Sequence, residues 1–291
     1  MRVSIVGPGA MGCLFAARLA HCGIRTTLID HRADRAVRLQ RSGVVVESPE
    51  GELVAHPAVV TQIPSAQDLV IVLTKAYVTR DLRLPPEQPV LTLQNGLGNV
   101  ETLCARVGSQ HVLVGVTSEG ATLLGEGRTR HAGRGRTQIG AWTSCPATPV
   151  IEALRKAGFH VEETDAPGQV VWEKVAINNG INPLTAILNV ENGKLVDTRE
   201  VRQLMRDLVV EAAKVAATEG YRFPYSLVER AEEICRETAG NVSSMLQDVR
   251  AHRPTEIDAI SGEILRRAQE VSLPTPRTRV VWQLVKGIEH Y

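Results

Sequence analysis

The N-terminal stretch constrains this chain more than any other. Residues 2–6 are mostly apolar and run into Gly7-Pro8-Gly9-Ala10-Met11-Gly12, a GxGxxG placed where a strand would turn into a helix. Met11, Leu14, Phe15, Leu19 and Cys22 then recur at helical spacing, Gly23 closes the helix, and residues 26–29 form a second apolar run. Such a glycine turn is common by itself. Strand, turn, amphipathic helix and strand within about thirty residues are the pattern of a dinucleotide-binding unit. The cause is backbone access: Gly7 allows the tight turn, Gly9 lets the chain approach a pyrophosphate, and Gly12 lets helix and strand pack closely. Pro8, Ala10 and Met11 complete the turn, and the helix N-terminus offers N–H donors and the positive end of its dipole.

The second apolar run ends in Asp30-His31-Arg32. An acid there would accept a ribose 2′-hydroxyl and favour NAD, whereas an arginine such as Arg32 would pair with a 2′-phosphate and favour NADP. Both readings stay open at this point. Arg35 and Arg38 add positive charge on the helix predicted over 33–41.

Residues 44–61 alternate in short β-like pieces around a turn at Glu50-Gly51, and 69–73 form the continuous apolar run of an inner parallel strand. That run ends in Thr74-Lys75, and the run at 90–93 ends in Gln94-Asn95-Gly96-Leu97-Gly98. Both polar clusters fall at the carboxyl ends of parallel strands, the edge where open α/β sheets bind ligands. Lys75 is a candidate phosphate contact, and Asn95 could hold the nicotinamide end of a cofactor or a substrate oxygen; a solvated strand end and a plain turn are the alternatives. A strand is expected at 112–116, followed by Thr117-Ser118-Glu119-Gly120-Ala121. Antiparallel pieces capping the sheet are expected over 122–140, then a helix at 149–157 and a last strand at 159–163.

Asp165-Ala166-Pro167-Gly168 reads as a linker, and almost nothing after it resembles a strand. The expected division is therefore 1–166 and 167–291, long enough for two cores. The helix that opens the second part, spanning about 169–193, carries Lys174, Asn178 and Asn182 four residues apart on one stripe among Val171, Val175, Ile177 and Ile181. Buried on most sides, it would turn one ammonium and two amides toward a common cavity, where a polar small molecule could satisfy them. A surface helix whose Lys and Asn face water satisfies the same spacing. Pro183 should bend the helix near 179–182. Further helices are expected over 201–215, 225–237, from Ser243, and from 253–258, with a final one ending near 290. Glu256 and Asp258 near a helix start have a purely structural explanation in the dipole.

A net charge of +1 and 3% aromatic residues argue against a nucleic-acid surface. No apolar run reaches a membrane span and no secretory pattern opens the chain, so a cytoplasmic protein is expected. The five cysteines are scattered without a CxxC pair, which predicts buried hydrophobes in a reducing compartment and neither metal site nor disulfide framework.

Together these residues resemble the 2-dehydropantoate 2-reductases, or ketopantoate reductases, over essentially the whole chain. The resemblance rests on the glycine turn, Thr74-Lys75-Ala76, Gln94-Asn95-Gly96-Leu97-Gly98, Trp172-Glu173-Lys174 with Asn178 and Asn182, Asn192-Gly193, Ser243-Ser244-Met245-Leu246-Gln247-Asp248 and Thr255-Glu256-Ile257-Asp258. It implies an α/β N-terminal Rossmann-type dinucleotide-binding domain followed by an all-α C-terminal domain like that of 6-phosphogluconate dehydrogenase. It also implies NADPH-dependent reduction of 2-dehydropantoate to (R)-pantoate, a step toward pantothenate and coenzyme A. By the same resemblance Lys174 is the proton donor, Asn178, Asn182, Asn192 and Ser244 hold the substrate, Asn95 and Ala121 touch cofactor or substrate, and Glu256 lies by the cofactor. One departure stands out: the family carries Arg directly after the second strand, where this chain has His31. Lys75 matches the family's second phosphate contact and keeps NADP ahead, with NAD left open by Asp30.

The expected partner is a small 2-oxo acid, with neither nucleic acid nor membrane, and the apolar helices of the second half could support a homodimer. Two rivals remain: a dehydrogenase of another small 2-oxo or 3-hydroxy acid, and a non-catalytic cofactor-binding redox sensor.

Overall fold

The computed structural model describes residues 1–290. The chain divides into two compact units, one of Met1–Gln94 with Asn99–Pro167, the other of Asn95–Gly98 with the chain from Gly168 onward.

The first unit is built on an eight-stranded sheet. Strands β1 (Arg2–Val6), β2 (Arg25–Ile29), β5 (Ala58–Val60), β6 (Leu69–Val72), β7 (Val90–Thr92) and β8 (Val112–Thr117) are mutually parallel; β11 (Arg136–Ala141) pairs antiparallel to β8 and parallel to β12 (His160–Glu163). The order across the sheet is β12-β11-β8-β7-β6-β1-β2-β5. The inner strands are apolar on both faces, as a sheet covered on both sides requires. Helix α1 (Ala10–His21) buries Cys13, Leu14, Phe15, Ala16, Ala17 and Leu19 in the unit's core with Ile5, Leu28, Ile71, Leu91 and Leu113. Helices α2 (Ala33–Ser42), α3 (Asn99–Val107) and α4 (Thr148–Lys156) complete it.

The residues at 120–133 do not cap this sheet. With β3 (Val44–Ser48) and β4 (Gly51–Ala55), strands β9 (Gly120–Gly125) and β10 (Arg128–Gly133) make a separate four-stranded sheet, ordered β4-β3-β10-β9. Its central pairing, β3 with β10, is parallel and joins residues far apart in the chain. Strand-like alternation identifies such pieces, but local pattern carries no record of a distant partner. Helix α3 was not expected either, although Val100, Leu103 and Val107 give it an apolar stripe.

The second unit contains no strand among the described residues. Helix α5 (Pro167–Leu188) starts inside the predicted linker, with Pro167 in its first position, where the missing N–H costs nothing. It continues past Pro183 and ends at Leu188 before Asn189, which has a positive φ of 54°; it therefore stops short of 193, and Asn192–Val196 is a separate 3₁₀ turn. Helices α6 (Arg199–Thr218), α7 (Leu227–Glu237), α8 (Ser244–Arg250), α9 (Glu263–Glu270) and α10 (Pro276–Ile288) follow, with a π-helical turn at Asp258–Gly262 leading into α9. Trp172, Val175, Met205, Leu208, Ala212, Val215, Ile257, Ile260 and Ile264 form its core, which Leu97 joins.

Candidate functional site

In the first unit the glycine turn has the geometry that a bound pyrophosphate requires. Gly7 has φ +105°, and a Cβ there would lie 2.9 Å from the Thr74 backbone nitrogen; one on Gly12 would lie 1.8 Å from the Gly7 carbonyl oxygen. A Cβ on Gly9 would meet nothing within 4 Å, so the chain is open to a close approach at that position. Helix α1 begins there with no side-chain cap and no acid in its first turn, which leaves its N-terminal N–H groups directed outward. Gly7 N–H donates to the Ile29 carbonyl at 3.2 Å, which sets the turn beside the end of β2.

At that strand end Asp30 is completely buried. Arg35 grips both of its carboxylate oxygens, one through Nη2 at 2.8 Å and the other through Nε, and the Arg32 backbone N–H donates to Oδ1 at 3.0 Å. Arg32 itself extends an exposed guanidinium that pairs with Asp34 at 2.9 Å. Lys75 precedes a 3₁₀ turn at Ala76–Asp81. Its backbone neighbourhood is braced by Gln94, whose Nε2 lies 3.0 Å from the Thr74 carbonyl oxygen and 2.8 Å from Thr79 Oγ1. Gln94 was read only as part of a motif. The signal that could have found it is a side-chain amide next to a strand end that must present a defined backbone. Ala121 lies half-buried on β9 opposite His131 of β10.

In the second unit Lys174, Glu256 and Asn95 come together. Asn95 Nδ2 donates to Glu256 Oε2 at 3.2 Å, and the Leu97 N–H donates to the Ala259 carbonyl at 2.8 Å, so the loop 95–98 is clasped to the segment that opens α9. Gly96 permits the clasp: its φ is +88°, and any Cβ would sit 2.5 Å from the Ala259 oxygen. Glu256 is buried, and its carboxylate acts on the Lys174 ammonium. The Lys174 side chain keeps some accessible surface, but protein atoms crowd around its ammonium. Desolvation pulls it down from 10.5 to about 8, with the Glu256 charge opposing that fall.

Asn178 and Asn182 continue the stripe along α5. Neither side chain makes a hydrogen bond to any described residue, and Asn182 is only 5% exposed. Its amide atoms are nevertheless not sealed off, and an accessible amide without a protein partner is one that a ligand can satisfy. Asn192 is also buried: its Nδ2 donates to Thr238 Oγ1 at 2.9 Å, while its Oδ1 has no partner. Ser244 is the exposed first residue of α8. The capping role belongs to its neighbour Ser243, whose Oγ accepts from the Leu246 N–H at 3.1 Å and bonds Thr185 Oγ1 at 2.7 Å. Asp258 is occupied structurally by Trp282 Nε1 at 2.8 Å and Lys286 Nζ at 2.9 Å. No cluster of potential metal ligands occurs among the described residues, the five cysteines are unpaired, and no described helix is long and apolar enough to cross a membrane.

Comparison with known proteins agrees with this arrangement. Residues 3–144 match the family described as "Ketopantoate reductase PanE/ApbA", and residues 168–289 match "Ketopantoate reductase PanE/ApbA C terminal". The 2-dehydropantoate 2-reductase of Halobacterium salinarum is 36% identical over 98% of each chain, and that of Pyrococcus horikoshii is 34% identical over 99% of this chain and 98% of its own. Among solved structures, D-mandelate dehydrogenase with NADH and anilino(oxo)acetate superposes with TM-score 0.94 at 28% identity, covering 100% of this chain and 99% of that one. A PanE/ApbA family ketopantoate reductase from Ralstonia eutropha gives TM-score 0.90 at 29% identity with the same coverage. The chain belongs to the ketopantoate reductase PanE/ApbA family of oxidoreductases, with a Rossmann-like parallel-sheet domain and a helical C-terminal domain.

Proposed function

We propose that this protein reduces the ketone of 2-dehydropantoate to (R)-pantoate with NADPH, the step toward pantothenate and coenzyme A, and that Lys174 is its proton donor. The observation that supports this most is an ammonium lowered to about 8 on the same helix stripe as two carboxamides that lack protein partners. Bound NADPH supplies the hydride. Negative charge then develops on the ketone oxygen, and the residues of this chain must neutralise it. Lys174 Nζ carries the proton for that oxygen; a weakened ammonium gives it up more readily than an ordinary lysine does. Glu256 opposes the fall of the Lys174 pKa and so keeps an acid form available near neutral pH, while Asn95 holds Glu256 in place. Asn178 and Asn182 offer donors to the substrate's hydroxyl and carboxylate, with Asn192 and Ser244 completing the set. On the nucleotide side, Gly7, Pro8, Gly9, Ala10, Met11 and Gly12 carry the pyrophosphate, Lys75 and Arg32 contact phosphate, and Ala121 lines the same side. On this reading the protein works in the cytoplasm.

The likeness to D-mandelate dehydrogenase with NADH favours a second reading, in which the substrate is a bulkier 2-oxo acid and the cofactor NADH. Initial rates of NADPH and NADH oxidation, each with 2-dehydropantoate and with the 2-oxo acid of mandelate, separate the two. The first reading expects the highest kcat/KM for NADPH with 2-dehydropantoate. A higher value for NADH with the aromatic 2-oxo acid would replace it with the second.

A further inference from the structure

The end of β2 brings together three arginines and three acids. Arg38 bonds Asp34 at 3.2 Å and Glu126 at 2.7 Å, Arg32 bonds Asp34, and Arg35 holds Asp30. The basic cluster that the sequence offers to a 2′-phosphate is therefore balanced by carboxylates, and an excess of positive charge does not select the cofactor here.

The pairs differ in how easily they can be exchanged. Arg32, Arg38, Asp34 and Glu126 have side chains about half exposed, so their pairing is screened by water and readily traded for a phosphate oxygen. Asp30 has no exposure at all. Its carboxylate already receives Arg35 Nε, Arg35 Nη2 and the Arg32 N–H, and His31 Nδ1 lies 3.9 Å from Oδ1. A ribose hydroxyl could reach this carboxylate only by displacing Arg35, and a buried ion pair whose partner is withdrawn leaves a costly unpaired charge. Asp30 occupies the position at which an acid reads the 2′-hydroxyl in dinucleotide folds, yet it is closed to that use.

We propose that Arg35 determines cofactor specificity through Asp30. By occupying both oxygens of that carboxylate it withdraws the acceptor for a ribose 2′-hydroxyl and cancels the charge that would repel a 2′-phosphate. Arg35 need not touch the cofactor to do this. The inference rests on reading the first unit as a dinucleotide site, and it adds the residue that sets which dinucleotide the site prefers.

Isothermal titration of the full chain with ADP-ribose and 2′-phospho-ADP-ribose tests it without any 2-oxo acid. The wild-type protein binds the 2′-phosphorylated nucleotide more tightly. In Arg35→Met the ratio of the two affinities moves toward ADP-ribose by about tenfold or more, the size of a hydrogen bond to a charged acceptor gained on one side and repulsion added on the other. In the double variant Asp30→Asn with Arg35→Met the gain for ADP-ribose disappears, which loss of structural support alone would not produce. Asp30→Asn by itself leaves ADP-ribose affinity within about threefold of wild type, because the acid was not reading the ribose. This second variant decides the matter should Arg35→Met fail to fold. Equal weakening of both nucleotides in Arg35→Met, or a tenfold loss of ADP-ribose binding in Asp30→Asn, overturns the inference and leaves the dinucleotide reading standing. A wild-type protein that binds neither nucleotide overturns both.

Discussion

Asn179 and Asn182 stand three residues apart on α5, both are buried, and their amides are used in opposite ways. Asn179 is saturated: Nδ2 donates to the Leu208 carbonyl at 3.0 Å and to Thr278 Oγ1 at 3.2 Å, and Oδ1 accepts from Ser261 Oγ at 2.7 Å. The network runs on to Glu211, which receives Thr278 N–H at 2.8 Å and Arg277 N–H at 3.0 Å and so closes the N-terminus of α10. Asn182 has no side-chain hydrogen bond to the described protein. One amide cross-links three helices; the other waits for a partner. The difference teaches that burial of a polar residue does not by itself mark a site: the Asn179 amide is spent inside the protein, whereas the Asn182 amide is left available.

The largest test falls on the residue that leads the polar stripe. Lys174→Ala is expected to lower kcat about a hundredfold to ten-thousandfold, the usual range for a positioned general acid, with cofactor affinity nearly intact. Steady-state kinetics together with NADPH titration measure both, and an unchanged kcat would remove Lys174 from the chemistry. Next in size is the saturated amide. Asn179→Ala leaves the buried Ser261 hydroxyl without its acceptor and takes the amide donor away from Thr278 Oγ1 and the Leu208 carbonyl, and should cost about 2–3 kcal/mol of stability of the helical unit in urea denaturation. The kcat of the protein still folded should stay within about threefold of wild type. A large kcat loss at wild-type stability would reverse the roles assigned to the two amides.

Much of this could be read from residue order, and the remainder fails for identifiable reasons. The glycine turn was legible because each glycine answers a local demand of backbone geometry, and the structure meets those demands at Gly7, Gly9 and Gly12. The stripe Lys174, Asn178, Asn182 was legible because helical spacing alone puts the three on one face. Asn179 was invisible as a cross-link, since its partners Leu208, Ser261 and Thr278 come from three distant segments. Asp30 left the cofactor open for the same reason: the strand end suggests a ribose acceptor, and only the fold of α2 shows that Arg35 holds its carboxylate. Glu256 had an adequate dipole explanation until the fold brought the Asn95 amide to it and the Lys174 ammonium of α5 within reach of its charge. The second sheet was lost because β3 finds its partner in β10, beyond the reach of any local pattern.

The unsaturated amide gives a smaller and more selective effect. Asn182→Ala should raise KM for the 2-oxo acid about tenfold, the worth of one hydrogen bond to a charged group, and leave KM for the cofactor unchanged. Stability should move by less than about 1 kcal/mol, because no protein group loses a partner. A stability loss equal to that of Asn179→Ala would mean that Asn182 is also a cross-link, and the contrast would collapse.

The remaining test concerns pH, and it asks whether the Lys174 ammonium is destabilised in the fold. Its ammonium has a neighbour in Glu256 but is held down to about 8 because desolvation outweighs that neighbour. Below pH 8 both folded and unfolded chains carry the proton, and the folded state bears the full cost of the confined charge. Between about 8 and the ordinary 10.5 the unfolded chain binds more protons than the folded one, so this contribution makes stability rise with pH. Denaturant titrations from pH 7 to 10.5 should show that rise relative to Lys174→Met, in which the confined charge is absent. The kinetics run the other way: kcat/KM for ketone reduction should fall as pH passes through about 8, because the acid form is lost. A wild-type stability that instead falls with pH relative to Lys174→Met would mean that the ammonium is net stabilised in the fold. Lys174 would then be a structural group like Asn179, with little reason to surrender its proton.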